Sequence, residues 1–287
     1  MEGIQNEDST GDYLSHTQRC LDCFDVNNSQ DCKYVFNSRM MKKCYDITVF
    51  GSIKWSEYCH ENHEVGYGVR NVHFSDQVWT DCYDILYSKE CINGSHNLFG
   101  CVGLQHGNYA ILNKKYSKEE YEKFVPKIIE HMKQTGQFGE FFPGQMAYYG
   151  YNETIAQDYF PLSKEQALAE GYKWKDSDEK EYKTQTYKIP ERIKDVPDDI
   201  LTQVLACVTC GKNYKIVEEE LKFYHRMNLP IPVKCHDCRH KIRFNMRNKR
   251  HLYKRTCQKC GTEIETTYSP QRPEIVYCEK CYVQSTD

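Results

Sequence analysis

CFDVNNSQDC (Cys23 to Cys32) returns twice with changes, as CYDITVFGSI (Cys44 to Ile53) and as CYDILYSKEC (Cys82 to Cys91). All three share C-[FY]-D-[VI], and nine positions after the first Cys comes another Cys or an Ile. From Cys23 to Cys44 is 21 residues and from Cys82 to Cys101 is 19, so the spacing suggests a repeat of about twenty. Short Val, Ile, Tyr and Phe runs broken by Asn, Ser, Gly and Asp suit a β-solenoid whose coils stack small residues on one another. No hexapeptide regularity is present, and residues 54–81 fit the repeat poorly. The fold class expected is a mainly β, β-helix-like solenoid, followed by helices and two small zinc-ribbon or treble-clef modules.

Sixteen Cys in 287 residues sharpen this division. Eight lie between Cys20 and Cys101, mostly singly, and eight between Cys207 and Cys281, all as C-x-x-C pairs. The acidic opening MEGIQNEDSTGDY lacks the basic and apolar segments of a secretory signal. Mean hydropathy is −0.78 and no apolar run is long enough for a membrane span. A soluble cytoplasmic protein without membrane contact is expected, where thiols stay reduced and clustered Cys mean metal.

After the repeats, Ser117 and Glu120 form a capping box, and Tyr121, Phe124, Val125, Ile128, Ile129 and Met132 make one apolar stripe that Gly136 ends. Pro126 should kink this helix or mark its start. A second box, Ser163 with Gln166, opens KEQALAEG. Between them FGEFFPGQMAYYGYNETIAQDYF (138–160) is crowded with rings, read as packing against the solenoid in preference to a base-stacking platform. Residues 173–199 have mixed charge, two prolines and few apolar positions, the composition of a linker, and DDILTQVLA then suggests a short helix. The expected domains are 1–112 (solenoid), 113–172 (helical and aromatic segment), 173–199 (linker), 200–256 (first metal module with a basic segment) and 257–287 (second ribbon).

Cys207-x-x-Cys210-Gly211 and Cys257-x-x-Cys260-Gly261 have the form of zinc knuckles, with Gly supplying the positive φ needed after the second ligand. Cys235-x-x-Cys238 and Cys278-x-x-Cys281 lack that Gly. The alternation favours pairing 207/210 with 235/238 and 257/260 with 278/281, with two zinc ions per chain. Spacing alone leaves open a middle pairing or a crossed one, and the first interval, 24 residues against 17, is stretched. Such closed sites support folding, not catalysis. Among the N-terminal cysteines, His16, Cys20, Cys23 and Cys32 could make a third site, but buried core thiols are the simpler reading. Cys59 beside His60 and His63 has no visible orienting acid.

The segment CGKNYKIVEEELKFYHRMNLPIPVKCHDCR (210–239) resembles the small zinc-binding domain of treble-clef type through Tyr214, Glu220, Phe223, Tyr224, Pro232, Lys234 and Arg239. CQKCGTEIETTYSPQRPEIVYCEKCY (257–282) is similar to a second zinc-ribbon type through Pro270, Arg272, Pro273, Tyr277 and Tyr282. The whole chain, including DCYDILYSKECINGSHNLFGCVGLQHGNYAILNKKYSKEEY (81–121), resembles an uncharacterised bacterial and phage-type family of cysteine-rich proteins ending in these ribbons. The resemblance implies domain identity and the zinc ligands, and no activity.

Charge supplies the functional expectation. Residues 207–287 hold 16 Lys and Arg against 9 Asp and Glu, while the rest of the chain is acidic. Between Cys238 and Cys257 lie eight Lys or Arg, two His and no acid. Two four-thiolate zinc sites, each of net charge −2, would reduce the module's +7 to about +3, yet the segment stays locally intense. It is read as a contact for nucleic acid, DNA or RNA, or a ribonucleoprotein. Arg243, Arg247, Lys249, Arg250, Lys254 and Arg255 would meet phosphates, and Phe244 and Tyr253 would stack on bases. The alternative is an adaptor whose solenoid binds a protein partner. A β-helix enzyme ranks last, since no paired-carboxylate, phosphate-loop or triad signature supports it.

Overall fold

The computed structural model describes residues 3–51, 53–176 and 180–286. Ser52 of the second repeat, residues 177–179 of the expected linker, and the terminal residues 1, 2 and 287 lie outside them. The chain forms two compact units, one of residues 1–175 together with 249–287, the other of residues 176–248.

The N-terminal part is a β-solenoid of about nine turns, and its coil is shorter than the repeats suggest. Parallel pairing sets Leu14 beside Val26, Thr17 beside Ser29 and Cys20 beside Cys32, a step of twelve residues. The step is fifteen from Tyr45 to His60, thirteen from His60 to His73 and from Tyr83 to His96, and twelve again from His96 to Asn108. The elementary unit is a tripeptide. Leu14, Thr17, Cys20, Cys23, Val26, Ser29, Cys32, Val35, Ser38, Met41, Cys44 and Ile47 all point into the bore and are buried. The residue before each of them, from Tyr13 to Asp46, has φ between 45° and 60°.

That left-handed corner explains the composition. Asn and Asp tolerate it better than other non-glycine residues because their short polar side chains can hydrogen-bond locally, and Asp22, Asp25, Asn28, Asp31, Asn37 and Asp46 occupy it. In the motif C-[FY]-D-[VI], Cys faces inward, the aromatic outward, Asp takes the corner and Val or Ile faces inward again. The interval of 21 residues is seven tripeptides but not a multiple of the twelve-residue coil. Cys23 and Cys44 therefore stand in different columns, which is why the apparent period near twenty is not the coil.

Ser and Cys exchange freely at inward positions because both satisfy the same carbonyl, two residues back. Ser29 Oγ donates to Asn27 O at 3.0 Å and Ser75 Oγ to His73 O at 2.8 Å, as Cys32 Sγ does to Gln30 O at 3.2 Å. The serines also tie coils together, since Ser75 Oγ accepts from the Ser88 amide and Ser88 Oγ from the Cys101 amide, both at 3.1 Å. Burial pushes the Cys82 and Cys91 thiols up to about 11. Thiol reagents applied to the native metal-loaded protein should leave all eight bore cysteines, 0–2 % exposed, unmodified until unfolding. Rapid labelling of several before that point would contradict their placement.

Helix α1 (Lys118–Gln134) has the expected capping box at Ser117 and runs through Pro126. Its Tyr121 and Val125 pack with Phe99 and Ile111 of the last coils. Among the rings of residues 138–160, Phe138 does pack, 5.9 Å from Phe74. Tyr148, Tyr149 and Phe160 instead are 75 %, 65 % and 51 % exposed, so packing does not account for them. Helix α2 (Ala156–Tyr159) is a single turn, and α3 (Lys164–Ala169) starts at Ser163 with the second capping box.

The 173–199 segment is not a linker throughout. Ile193 and Val196 are buried with Ile200, Leu205, Ile216, Leu221, Tyr224 and Ile231 in the core of the second unit, and Tyr187 and Ile189 pack against them. Its sparse apolar residues are spaced to cover this small core, a pattern that composition averages away. Asp198–Thr202 is a 3-10 turn, followed by a strand at Leu205–Ala206, in place of the expected helix. Residues 249–287 belong with the solenoid. Thr267 Oγ1 donates to Asp12 Oδ2 at 2.6 Å, buried, and Arg250 Nη2 donates to Asp25 Oδ2 at 2.8 Å.

Candidate metal centres

Two groups of four thiols form, Cys207, Cys210, Cys235 and Cys238 in one and Cys257, Cys260, Cys278 and Cys281 in the other, with all sulfur atoms of a group within 4.8 Å of one another. The middle and crossed pairings are not what the fold brings together. Cys210 Sγ lies 3.7 Å from Cys235 Sγ, and Cys260 Sγ lies 3.7 Å from Cys278 Sγ. A tetrahedral ion with metal–sulfur bonds of ~2.3 Å needs sulfurs ~3.8 Å apart, so the clusters fit such an ion.

The two groups are built alike. Gly211 and Gly261, with φ of 72° and 76°, follow the second ligand. Their amides donate to the carbonyls of Cys207 and Cys257 at 2.9 and 2.8 Å, and the amides of those two cysteines donate to Lys212 O and Thr262 O. Val208 N donates to Val233 O and Gln258 N to Val276 O, which brings each second pair alongside its knuckle. The second pair then opens a helix. Cys235 caps α5 (His236–Phe244), and α6 (Glu279–Thr286) starts directly after Cys278. A helix N-terminus favours negative charge, here thiolate. The longer first interval holds α4 (Glu218–Met227), which the second lacks.

Hydrogen bonding prepares the knuckle thiols. Burial pushes Cys207 up, but backbone donors at Cys235, Cys210 and Thr209 outweigh it and leave the thiol at about 6. Cys257 likewise lies at about 6, with Cys278, Cys260 and Lys259 acting against burial. Cys238 is pushed up to about 12, first by its hydrogen bond with Cys210, and Cys281 to about 12, first by burial. Metal uptake must therefore displace protons, and occupancy should fall as the pH is lowered.

The residues that carry the treble-clef resemblance brace the first cluster. Tyr214 donates to Pro232 O at 2.6 Å, Tyr224 to Glu220, and Arg239 lies 3.7 Å from that same Glu220. In the second, Arg272 pairs with Glu274, and Arg255 donates to the carbonyls of Ser269 and Glu274 at 3.4 and 3.3 Å.

The basic segment is divided between the units. Arg243 is exposed on α5, with Phe244 and Arg247 half-buried beside it, all in the second unit. His236, His240 and Phe244 form a line of rings along α5. In the first unit Lys249 and Lys254 are exposed, and Tyr253 packs edge-on to His251 at 4.4 Å. Arg250 does not face an open surface. Its side chain is 7 % exposed, paired with Asp25 and Asn37, and its guanidinium lies 3.7 Å from the Tyr159 ring centre. It belongs to the folded interior because the Asp25 carboxylate, the Asn37 amide oxygen and the rings offset its desolvation.

Of the N-terminal candidates only the histidines part from the cysteines, since Cys20 faces both Cys23 and Cys32. Cys20, Cys23, Cys32 and Cys59 lie in the bore, while His16 is exposed against Ser15 Oγ at 2.8 Å. His60 and His63 face outward, His63 Nδ1 2.8 Å from Asp76 Oδ1. The tripeptide phase, in which neighbours of a bore residue always point out, would have parted Cys59 from these histidines in the sequence.

No family model matches the chain, and no curated protein matches it either. Among the described residues, no helix is long and apolar enough to cross a membrane.

Proposed function

We propose that each four-cysteine cluster holds one structural zinc ion and that the protein binds nucleic acid chiefly through α5. Zinc suits four thiolates in tetrahedral array, and a closed set leaves no position for a substrate. The observation that carries the nucleic-acid reading is the placement of α5. It begins at a cluster ligand, Cys235, presents exposed Lys241 and Arg243, and carries the His236, His240 and Phe244 rings. Anchoring one end of a basic element lowers the ordering entropy lost on binding. The cations supply a salt-sensitive phosphate contact, and the rings a sequence-tolerant stacking surface.

The test is a double variant, Lys241→Glu with Arg243→Glu, measured by fluorescence anisotropy on single- and double-stranded DNA and RNA. Removing two phosphate contacts and adding two like charges should weaken binding by at least ~100-fold and flatten the dependence of log K on log salt by about two. Metal content should stay at two. Wild-type failure to bind at low salt, or equal binding by the variant, would refute the reading. In that event the adaptor reading takes its place, favoured by the exposed Met146, Tyr148, Tyr149 and Ile155 of the first unit.

A further inference from the structure

The outer face of the solenoid carries a donor set of another kind. Parallel pairing places Tyr45 beside His60, so the following residues, Asp46 and Glu61, take equivalent corner positions on successive coils, with φ of 56° and 53°. His60, next to Glu61, projects from the same side. One ligand atom each of Asp46, His60 and Glu61 lies within 4.8 Å of the others, and His60 Nε2 is 3.4 Å from Asp46 Oδ2. All three are half-buried. The backbone register, not a flexible loop, fixes their separation.

The surroundings hold this arrangement and add a further acid to it, Glu140. The His60 ring packs edge-on against Phe74 at 5.6 Å, and Phe74 stacks on Tyr87 at 4.9 Å. The loop after α1 is tied down where the Gly139 amide donates to Tyr87 Oη at 2.9 Å, and it brings the charge of Glu140 to bear on Glu61. The charged groups acting on the Glu61 carboxyl are Asp46, Glu140 and, in opposition, His60. Lys33 acts on Asp46 from the neighbouring coil, but its ammonium sits over the Tyr34 ring, 4.5 Å from the centre. An imidazole converging with two carboxylates is a metal-ligand set, and a divalent ion would offset the repulsion between its acids.

We propose that Asp46, His60 and Glu61 form a third cation site, which takes a divalent first-row ion through nitrogen and oxygen donors. Its chemistry differs from that of the thiolate clusters. Hard carboxylates with one imidazole suit Mn²⁺ and ions like it, whereas four thiolates do not. Three protein donors leave coordination positions to water, so the ion is exchangeable and open to an anionic oxygen ligand, unlike a closed structural ion.

Mn²⁺ is the probe, added to the full chain with both thiolate clusters loaded with zinc. Electron paramagnetic resonance should show one saturable Mn²⁺ per chain. His60→Ala and Asp46→Asn should each abolish that binding, while Glu122→Gln, on the exposed surface of α1, should leave it intact. Asp46→Asn keeps the side chain's size, and both variants alter an outward face, so circular dichroism and zinc content should match wild type. The absence of saturable Mn²⁺ binding, or equal binding by wild type and the two ligand variants, would overturn the site.

Discussion

With Cys257 replaced by Ser, thiolate-bound zinc should fall from two ions per chain to one, and the same is expected of Cys207→Ser at the other cluster. Each set has four sulfurs and, among the described residues, no further His, Cys, Asp or Glu converges with them. A structural zinc of this kind contributes an apparent ~10–16 kcal/mol at neutral pH, and that energy is folding energy because the unfolded chain holds no formed site. Loss of one ligand should therefore unfold its own knuckle and the helix that the second pair opens, α5 or α6. The solenoid should survive both changes, for its core is a closed column of bore residues containing none of these cysteines. Native mass spectrometry counts the ions, and hydrogen exchange locates the loss. Two zinc ions retained in either variant after the exchangeable ion of the Asp46, His60 and Glu61 site has been removed would show that the cluster is not the binding site.

The clusters were legible because C-x-x-C and its following Gly are local: the turn, its positive φ and both ligands fall within five residues. The pairing was legible for the same reason, since the two knuckles repeat each other. The solenoid was legible as architecture but not in its coil. Its true signal is a small or apolar residue at every third position from Leu14 to Ile47, with Asp or Asn commonly just before. Because that inward set mixes Cys, Ser, Thr, Val, Leu, Ile and Met, a search for repeated letters finds the spacing of similar motifs instead. Steps of fifteen and thirteen after Tyr45 then break the register again. The fate of the basic segment was least legible. Arg250 looks like its neighbours in sequence, and its partners, Asp25 and Asn37, lie 225 and 213 positions away.

That residue gives the sharpest separation between a basic surface and a buried staple. Arg250→Ala should destabilise the first unit by about 3–5 kcal/mol, the usual cost of removing one member of a buried ion pair and stranding the other. The Arg250 side chain is 7 % exposed and that of Asp25 23 %, so solvent screens the pair weakly. The Tyr159 ring at 3.7 Å and the Phe36 ring at 5.6 Å add a desolvated cation–π contribution of roughly 1–2 kcal/mol. Part of the loss should appear as local opening, because Arg250 and the Thr267–Asp12 hydrogen bond tie the C-terminal hairpin (Tyr253–Thr256 with Glu263–Thr266) to the first coils. Hydrogen exchange should therefore accelerate in that hairpin before it does in the bore. Zinc content should remain at two, since neither cluster includes Arg250, and Lys241→Glu with Arg243→Glu should show the converse, weakened binding with unchanged denaturation. If Arg250→Ala costs less than ~0.5 kcal/mol, the range of ordinary surface substitutions, Arg250 is a surface cation after all and the docking of residues 249–287 rests elsewhere.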